Sequence, residues 1–525
     1  MADRARRLGW LGAYAAATFL SFPHPLGDRV LDLGLGAAWL GPALLLLGLD
    51  GLGPRRAARW GFLAGWLAHS AILHWIYVVT VVYGHAPVAA GLLAPILLAS
   101  YIAAFTATFG ALVAWLSRRR IPWVASAPLV WTGLDLLRAG LLTGFPWATL
   151  GYAQHQNALL TALAPYTGVY GLSFVTALGG AALGQAWRQR RLAPAPLAAL
   201  VAVAAAHLPG ALRTDADADA GTLRVAVLQG NIDQGVKWDA AWFERTLGVY
   251  EALSREAAAR GARLVVWPES AVPIGLDGER AEPLRARLAA LARETGAELV
   301  VGGVGLGFAG DRVSDYFDSA FLVEPSGRFA ARYDKSHLVP FGEYVPLRDW
   351  IGRAVAAVAR GVAPVGVSAG PGPRALALSL PGDARGPVSV GVPICYELIF
   401  PDLVRRFVRD GAGMLLAITN DAWYGRTGAP YQFLAITALR SAESRVWTAR
   451  AANTGVSAFI DARGRVRSRT RIFERDLLVA DVPYRPPPIG GSFYARRGDV
   501  FAWTCWIALA VLGLAGEALE RSRGR

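Results

Sequence analysis

Long apolar stretches crowd the first two hundred residues of the chain, stop, and return once near its end. Hydrophobic runs at 8–24, 30–50, 60–83, 87–116, 122–142, 159–187 and 192–212 each approach the ~20 residues a helix needs to cross a hydrocarbon core, and a last run occupies 500–518. Asp135 and Arg138 interrupt the fifth run, and the seventh is alanine-rich and broken by Pro194 and Pro196. Between Gly221 and Tyr484 the pattern changes. Short Val/Ile/Leu runs such as "LRVAVLQGN", "ARLVVWPES", "AELVVGGVG", "SVGVPICYE" and "GMLLAITND" alternate with helix-like stretches such as "AWFERTLGVYEALSREAAARG", "PLRARLAALARETG" and "PDLVRRFVRDG". Buried strands alternating with helices predict an α/β sandwich with covered sheets. The predicted organisation is a seven-helix transmembrane domain at 1–212, an acidic turn-prone linker at 213–221, an α/β domain at 222–484, and a C-terminal transmembrane helix with its tail at 485–525.

The charges orient this arrangement. Arginines cluster before the first run (Arg4, Arg6, Arg7), between the second and third (Arg55, Arg56, Arg59), after the fourth (Arg118, Arg119, Arg120), after the sixth (Arg188, Arg190, Arg191) and at the end (Arg521, Arg523, Arg525). The intervening loops, "VVYGHAP" and "FPWATLGYAQHQN", carry almost no positive charge. The positive-inside rule makes the arginine loops cytoplasmic, so seven crossings place the α/β domain on the far side and an eighth returns the chain. These arginines account for the formal net charge of +14 without invoking nucleic acid. The first run follows a basic start like that of a signal peptide, but no small-residue cleavage site precedes "SFPHP", so a retained helix is expected.

The chemistry is concentrated in few residues. Of two cysteines, Cys505 falls in the last apolar run and cannot reach Cys395, so neither staples the fold. On the far side of a membrane structural cysteines normally pair, which leaves Cys395 as a small buried hydrophobe or a nucleophile. Among 53 basic residues only Lys237 and Lys335 are lysines, which marks them as places where a compact ammonium is needed rather than a guanidinium. Glu269 and Cys395 end apolar runs, and Lys335 stands in a third such segment, "RYDKSHLVPFGEYVP". In α/β folds reactive groups sit at such ends. A protonated thiol needs a base or a cationic neighbour, for which Glu269 and Lys335 are suited. Only one of seven histidines, His337, lies in the α/β domain, a poor basis for a Cys-His pair. No Cys/His cluster has metal-ligand spacing, and no cofactor is expected.

"VVWPESAVP", "YDKSHLVPFGEYVP" and "PICYELIFPD", in this order, resemble the Glu-Lys-Cys motifs of the nitrilase superfamily. Together with eight spans and "LLTGFPWATLGYAQ" they resemble its membrane-embedded branch, the apolipoprotein N-acyltransferase family, over nearly the whole chain. The resemblance implies an αββα sandwich with Glu269 as general base, Lys335 as transition-state stabiliser and Cys395 as nucleophile. Glu343 matches a second glutamate that helps hold the lysine. Tyr396 and Glu397 match supporting positions. Trp238, Trp423 and Tyr424 match positions tied to substrate. Trp238 suits plain packing as well, Glu397 a helix start, and Trp423 and Tyr424 interfacial anchors. The implied reaction is phospholipid-dependent N-acylation of the diacylglyceryl-cysteine at a lipoprotein's N-terminus. It runs through a thioester acyl-enzyme, in the inner membrane of a bacterium, with the catalytic domain periplasmic and the enzyme a monomer. The stretch from Trp350 to Gly372, apolar and then Gly/Pro-rich, suits a cover that gates lipid entry. The alternatives are a membrane-tethered amidase or nitrile hydrolase using the same trio, and a transporter or polytopic anchor whose outer domain only binds a partner.

Overall fold

Helices stand at all eight predicted spans in the computed structural model, which describes residues 2–27, 29–212, 221–235, 240–346, 366–380, 387–485 and 491–523. Four of them, Val88–Arg118, Val169–Gln189, Pro194–Ala211 and Val500–Ser522, are long and apolar enough to cross a bilayer. A fifth is added if Pro54–Ile72 and Trp75–Tyr83, bent by 53° to one another, count as one span. Gly34–Leu49 is apolar but only 16 residues long, and Ala2–Leu20 carries its charges in its first turns. Leu92, Leu93 and Leu97 on one helix, and Ile507, Val511 and Leu514 on another, are exposed. Such apolar stripes suit lipid and not water.

Two of the expected spans differ in detail. The sixth begins ten residues late, because residues 150–163 wind into short 3₁₀ turns and Gly168 adopts a φ of +64° before Val169 opens the helix. The fifth, Trp123–Gly140, keeps its two charges by pairing them: Arg138 lies 3.1 Å from Asp135 and donates to Thr149 Oγ1 at 3.0 Å. The arginine-rich turns gather at one end of the bundle. Arg188 pairs with Asp50 at 3.1 Å and Arg119 with Glu520 at 3.4 Å.

The α/β domain sits on the opposite end. One sheet runs in the order Asp476–Tyr484, Gly221–Gln229, Leu264–Val266, Glu298–Ala309, Arg312–Val323, Phe329–Asp334, with Val272–Gly275 also paired to Glu298–Ala309. The other runs Val466–Arg469, Ala458–Ile460, Trp447–Ala452, Met414–Thr419, Ser389–Gly391, Ala375–Ala377. Strand alternation divides the core. Val225 and Val227 face the space between the sheets with Val390, Leu416 and Ile418. Ala226 and Leu228 point the other way, onto Leu247 and Tyr250 of helix Ala240–Ala259 and Leu288 of helix Glu282–Thr295. Helices Pro401–Arg409 and Ala429–Ser444 cover the second sheet, completing four layers.

Ala429–Ser444 also rests on the membrane part. Gln432 Oε1 accepts from Trp147 Nε1 at 2.8 Å, and Glu443 Oε1 accepts from the Val169 N–H at 2.7 Å and from Arg440 at 3.0 Å. Glu443 thereby caps a membrane helix from outside, as an anion at a helix N-terminus does. Its burial, outweighing Arg440, raises it from 4.5 to about 7. A carboxyl whose folded pKa is raised contributes stability that is full below the unfolded value and is lost as pH rises through the folded one. That interval corresponds to about 3 kcal/mol. Between pH 5 and 8 the wild type is therefore expected to lose more thermal stability than Glu443→Gln. Melting curves of both in detergent check this, and parallel pH slopes would exclude it.

Candidate active site

Each member of the predicted trio is delivered by the end of a strand. Glu269 follows Leu264–Val266 after Trp267 and Pro268. The neighbouring strand passes so close that a side-chain carbon at Gly302 would lie 2.2 Å from the Pro268 carbonyl oxygen, which makes glycine obligatory there. Lys335 directly follows Phe329–Asp334. Cys395 follows Ile394, which bridges to Ile418, and opens a 3₁₀ turn, Cys395–Ile399, with its own φ at +46°. A non-glycine residue in that region is strained and persists only where its surroundings enforce it.

What enforces it is Glu397. This fully buried carboxylate accepts from the Ile394 N–H at 2.8 Å through one oxygen. Through the other it accepts from Tyr333 Oη at 2.7 Å, the Ser336 N–H at 2.7 Å and Ser336 Oγ at 2.8 Å. It ties the backbone before the cysteine to the backbone after the lysine. Glu397 is thus a strut, and the reading of it as a helix-start charge is incomplete.

Lys335 is 0% exposed, and its ammonium meets three carboxylates: Glu343 at 2.5 Å, Glu269 at 3.4 Å and Asp318 at 3.4 Å. Glu343 is itself held by the Val339 N–H at 2.8 Å. The three carboxylates lie within 4.8 Å of one another, a set that could hold a metal ion. Here the ammonium supplies the positive charge at their centre. Burial alone would lower the Lys335 pKa, but Glu343, Glu269 and Asp318 together raise it well above its ordinary value. Burial and the neighbouring Glu269 charge push the Asp318 carboxyl well upward, against the pull of Lys335. Burial and then the Glu269 charge raise the Cys395 thiol, against the pull of Lys335 and a hydrogen bond with Thr419. The site sets a thiol whose ionisation burial opposes beside a carboxyl group and a fixed ammonium. Such a site makes its thiolate only as the proton leaves for a base.

Glu269 is positioned from the second sheet: the Asn420 N–H donates to its Oε2 at 2.5 Å. Asn420 is fixed by its side chain, which donates to Gln234 Oε1 at 2.7 Å and accepts from Asn453 Nδ2 at 3.0 Å. Next to it, Asp421 takes a bond from Arg450 at 2.8 Å, both side chains being fully buried. Asp318, Asn420, Asp421 and Arg450 were not singled out by sequence reasoning. An acid inside the apolar strand "YFDSAFLV" and the polar pair opening "NDAWYG" were the available hints.

The remaining predicted residues face the membrane part. Tyr424 packs its ring edge-on against Trp75 at 5.0 Å, with Trp147 at 6.2 Å, and Trp423 meets Tyr83 at 6.3 Å. Tyr396 Oη donates to the Gly144 carbonyl at 3.4 Å and packs on Phe400. His337 packs against Phe400 with ring centroids 3.9 Å apart and the planes tilted by 42°, and burial followed by the Lys335 charge lowers its pKa. Trp238 lies outside the described residues, as do 350–365 of the expected cover.

The Carbon-nitrogen hydrolase family pattern matches residues 224–485, and that of the Apolipoprotein N-acyltransferase N-terminal domain matches 15–182. An apolipoprotein N-acyltransferase of Geobacter metallireducens is 42% identical over 503 residues, 94% of this chain and 92% of its own. Another, from Azotobacter vinelandii, is 36% identical across 98% of this chain and 96% of its own. Among solved structures, an amidase from Nesterenkonia sp. is 20% identical with a TM-score of 0.39, covering 56% of this chain and all of that one.

Proposed function

This chain belongs to the apolipoprotein N-acyltransferase family, and from that premise we propose that it carries the acyl group on Cys395 between a phospholipid and a lipoprotein amine. The observation that carries this reading is the position of Tyr424. Its ring rests on Trp75 and Trp147 of the membrane part, and Tyr424 and Cys395 both pack against the hydrophobic cluster that contains those two tryptophans. This packing supports a thiol that an acyl chain reaches from lipid. Water-filled access, which an amidase for small soluble amides needs, has no such requirement.

In the first half-reaction Sγ of Cys395 attacks an ester carbonyl carbon of the phospholipid while its proton passes to Glu269. Negative charge develops on the carbonyl oxygen, where the Lys335 ammonium stabilises it. The ester C–O bond breaks, Glu269 returns the proton to the leaving alkoxide, and lysophospholipid departs from a thioester. In the second half the α-amine of a diacylglyceryl-cysteine attacks the thioester carbon and Glu269 takes the amine proton. The C–S bond then breaks, the proton held by Glu269 passes to the departing Sγ, and the thiol and the carboxylate are both restored. Glu343 and Asp318 hold Lys335, and Glu397 holds the turn of Cys395. Trp423 and Tyr424 face the incoming chain and anchor the two parts of the molecule. Trp238 and the 350–372 segment are assigned to substrate contact and lipid gating. No step calls for a metal or cofactor.

In this reading the chain crosses the bacterial inner membrane eight times as a monomer, with the 222–484 domain on the periplasmic side and the arginine-rich turns cytoplasmic. Intact mass of the purified protein after incubation with phospholipid, without acceptor, tests it. A hydroxylamine-labile acyl adduct, absent from Cys395→Ala and discharged by a diacylglyceryl-peptide amine, is expected. Absence of any adduct, with ammonia released from simple amides, would return the assignment to the amidase alternative.

A further inference from the structure

The edge strand Val466–Arg469 belongs to a stretch in which every second residue from 463 to 471 is arginine. Asp461, 1% exposed, engages Arg465 at 2.9 Å and Arg467 at 2.7 Å, and Arg471 lies 3.7 Å from Glu474. Arg469 is exposed and has no carboxylate partner among the described residues. Three of these arginines, Arg463, Arg465 and Arg469, form one wall of a cavity of about 370 Å³. Its opposite wall comes from the membrane part, with Asp32, His155 and Gln156. Asp32 is already occupied, lying 3.2 Å from His155 Nε2 and accepting from Gln156 Nε2 at 2.6 Å.

The loops that form that opposite wall join membrane helices at the end bearing the catalytic domain. In the proposed eight-span arrangement the cavity therefore lies at the depth of lipid headgroups, in a layer about 5–7 Å thick on each side of the hydrocarbon. Its volume falls in the range that holds a small ligand. Guanidinium forks match phosphate oxygens in pairs. A zwitterionic headgroup would bring its own cation to the same arginines, whereas a glycerol-type headgroup brings only the phosphate charge. None of Glu269, Lys335 and Cys395 lines this cavity.

We propose that this cavity binds the phosphate-bearing headgroup of an anionic phospholipid, at a site separate from the one where the acyl donor reacts. The site rests on the membrane embedding of the chain and not on the thioester route.

The full-length protein in phosphatidylcholine nanodiscs doped with phosphatidylglycerol, examined by native mass spectrometry, tests it. The wild type is expected to retain phosphatidylglycerol about tenfold in preference to phosphatidylcholine. Arg463→Gln/Arg469→Gln should lose that preference, and Arg463→Lys/Arg469→Lys should keep part of it. Acyl transfer from a phosphatidylethanolamine donor should be unchanged in the glutamine pair, so failure here and failure of the catalytic reading are separable. If that pair does not fold, Arg469→Gln alone, at an exposed position, makes the comparison. Equal retention of the two lipids by the wild type, or an undiminished preference in the glutamine variants, overturns the proposal.

Discussion

Lys335→Met is expected to lower the rate of acyl-adduct formation by at least about 10³-fold, because the side chain carries two burdens at once. Its ammonium is the cation at the centre of Glu269, Glu343 and Asp318, and in the proposed mechanism it also meets the developing oxyanion. Removing one donor of that kind typically costs about 10²–10³ in rate. Loss of the counter-charge also disfavours the ionised form of Glu269, the form that serves as base. Stability should fall too, since the carboxyl groups packed around the ammonium are left without their partner. Breaking such a set costs about 3–5 kcal/mol, reduced to the extent that the carboxyls protonate. The variant should therefore recover part of its melting temperature on acidification. Lys335→Arg should not rescue the rate, because a planar fork cannot replace a compact ammonium in a 0% exposed pocket. Time-resolved intact mass across the three proteins decides the matter. A near-normal rate in Lys335→Met would remove the lysine from the chemistry.

The second large effect is on stability. Arg450 is wholly buried and donates to Asp421 at 2.8 Å, to Thr437 Oγ1 at 3.0 Å and to the Val456 carbonyl at 3.1 Å. Arg450→Met leaves Asp421 without its cation in a place where burial already raises its pKa. The expected loss is about 3–5 kcal/mol. Asp421 stands between Asn420, which holds Glu269, and the aromatic pair Trp423 and Tyr424. Melting temperature and acylation rate should consequently fall together. Adding Asp421→Asn should restore more than half of the lost stability, because the penalty is an uncompensated charge and not a lost contact. Thermal melts of the two single variants and the double close the cycle. Full additivity would show that the two residues do not act as a pair.

The positions of the helices and the strand-end placement of the trio were legible in the sequence because both follow from short-range pattern. An apolar run of sufficient length must be covered or lipid-facing wherever it lies. The order of "VVWPES", "YDKSH" and "PICYE" marks the turns that follow strands. What joins those turns was not legible. Glu397 beside Cys395 reads locally as a charge at the start of a helix, yet its partners at 333 and 336 come from the other sheet. Asp318 and Asn420 likewise act only across the sandwich, and no spacing along the chain encodes that register. The membrane part shows the same limit. Asp135 and Arg138 look like interruptions of a span until the fold brings Thr149 beside them.

One hydrophobic cluster runs without a break from Trp75 and Trp147 through Phe433 into Ile418 and Val227 between the sheets. Trp147 donates to Gln432, Gln432 donates to the Pro23 carbonyl at 3.2 Å, and Tyr152 donates to the Ile399 carbonyl at 3.2 Å. The two halves are therefore not interchangeable modules. A catalytic half taken from a distant relative would arrive with a foreign footprint, and an excised one would leave its underside of tryptophan and tyrosine rings unsheltered. A change in a membrane loop at this seam alters the surface on which helix Ala429–Ser444 rests, and so reaches the catalytic half without touching any of its residues.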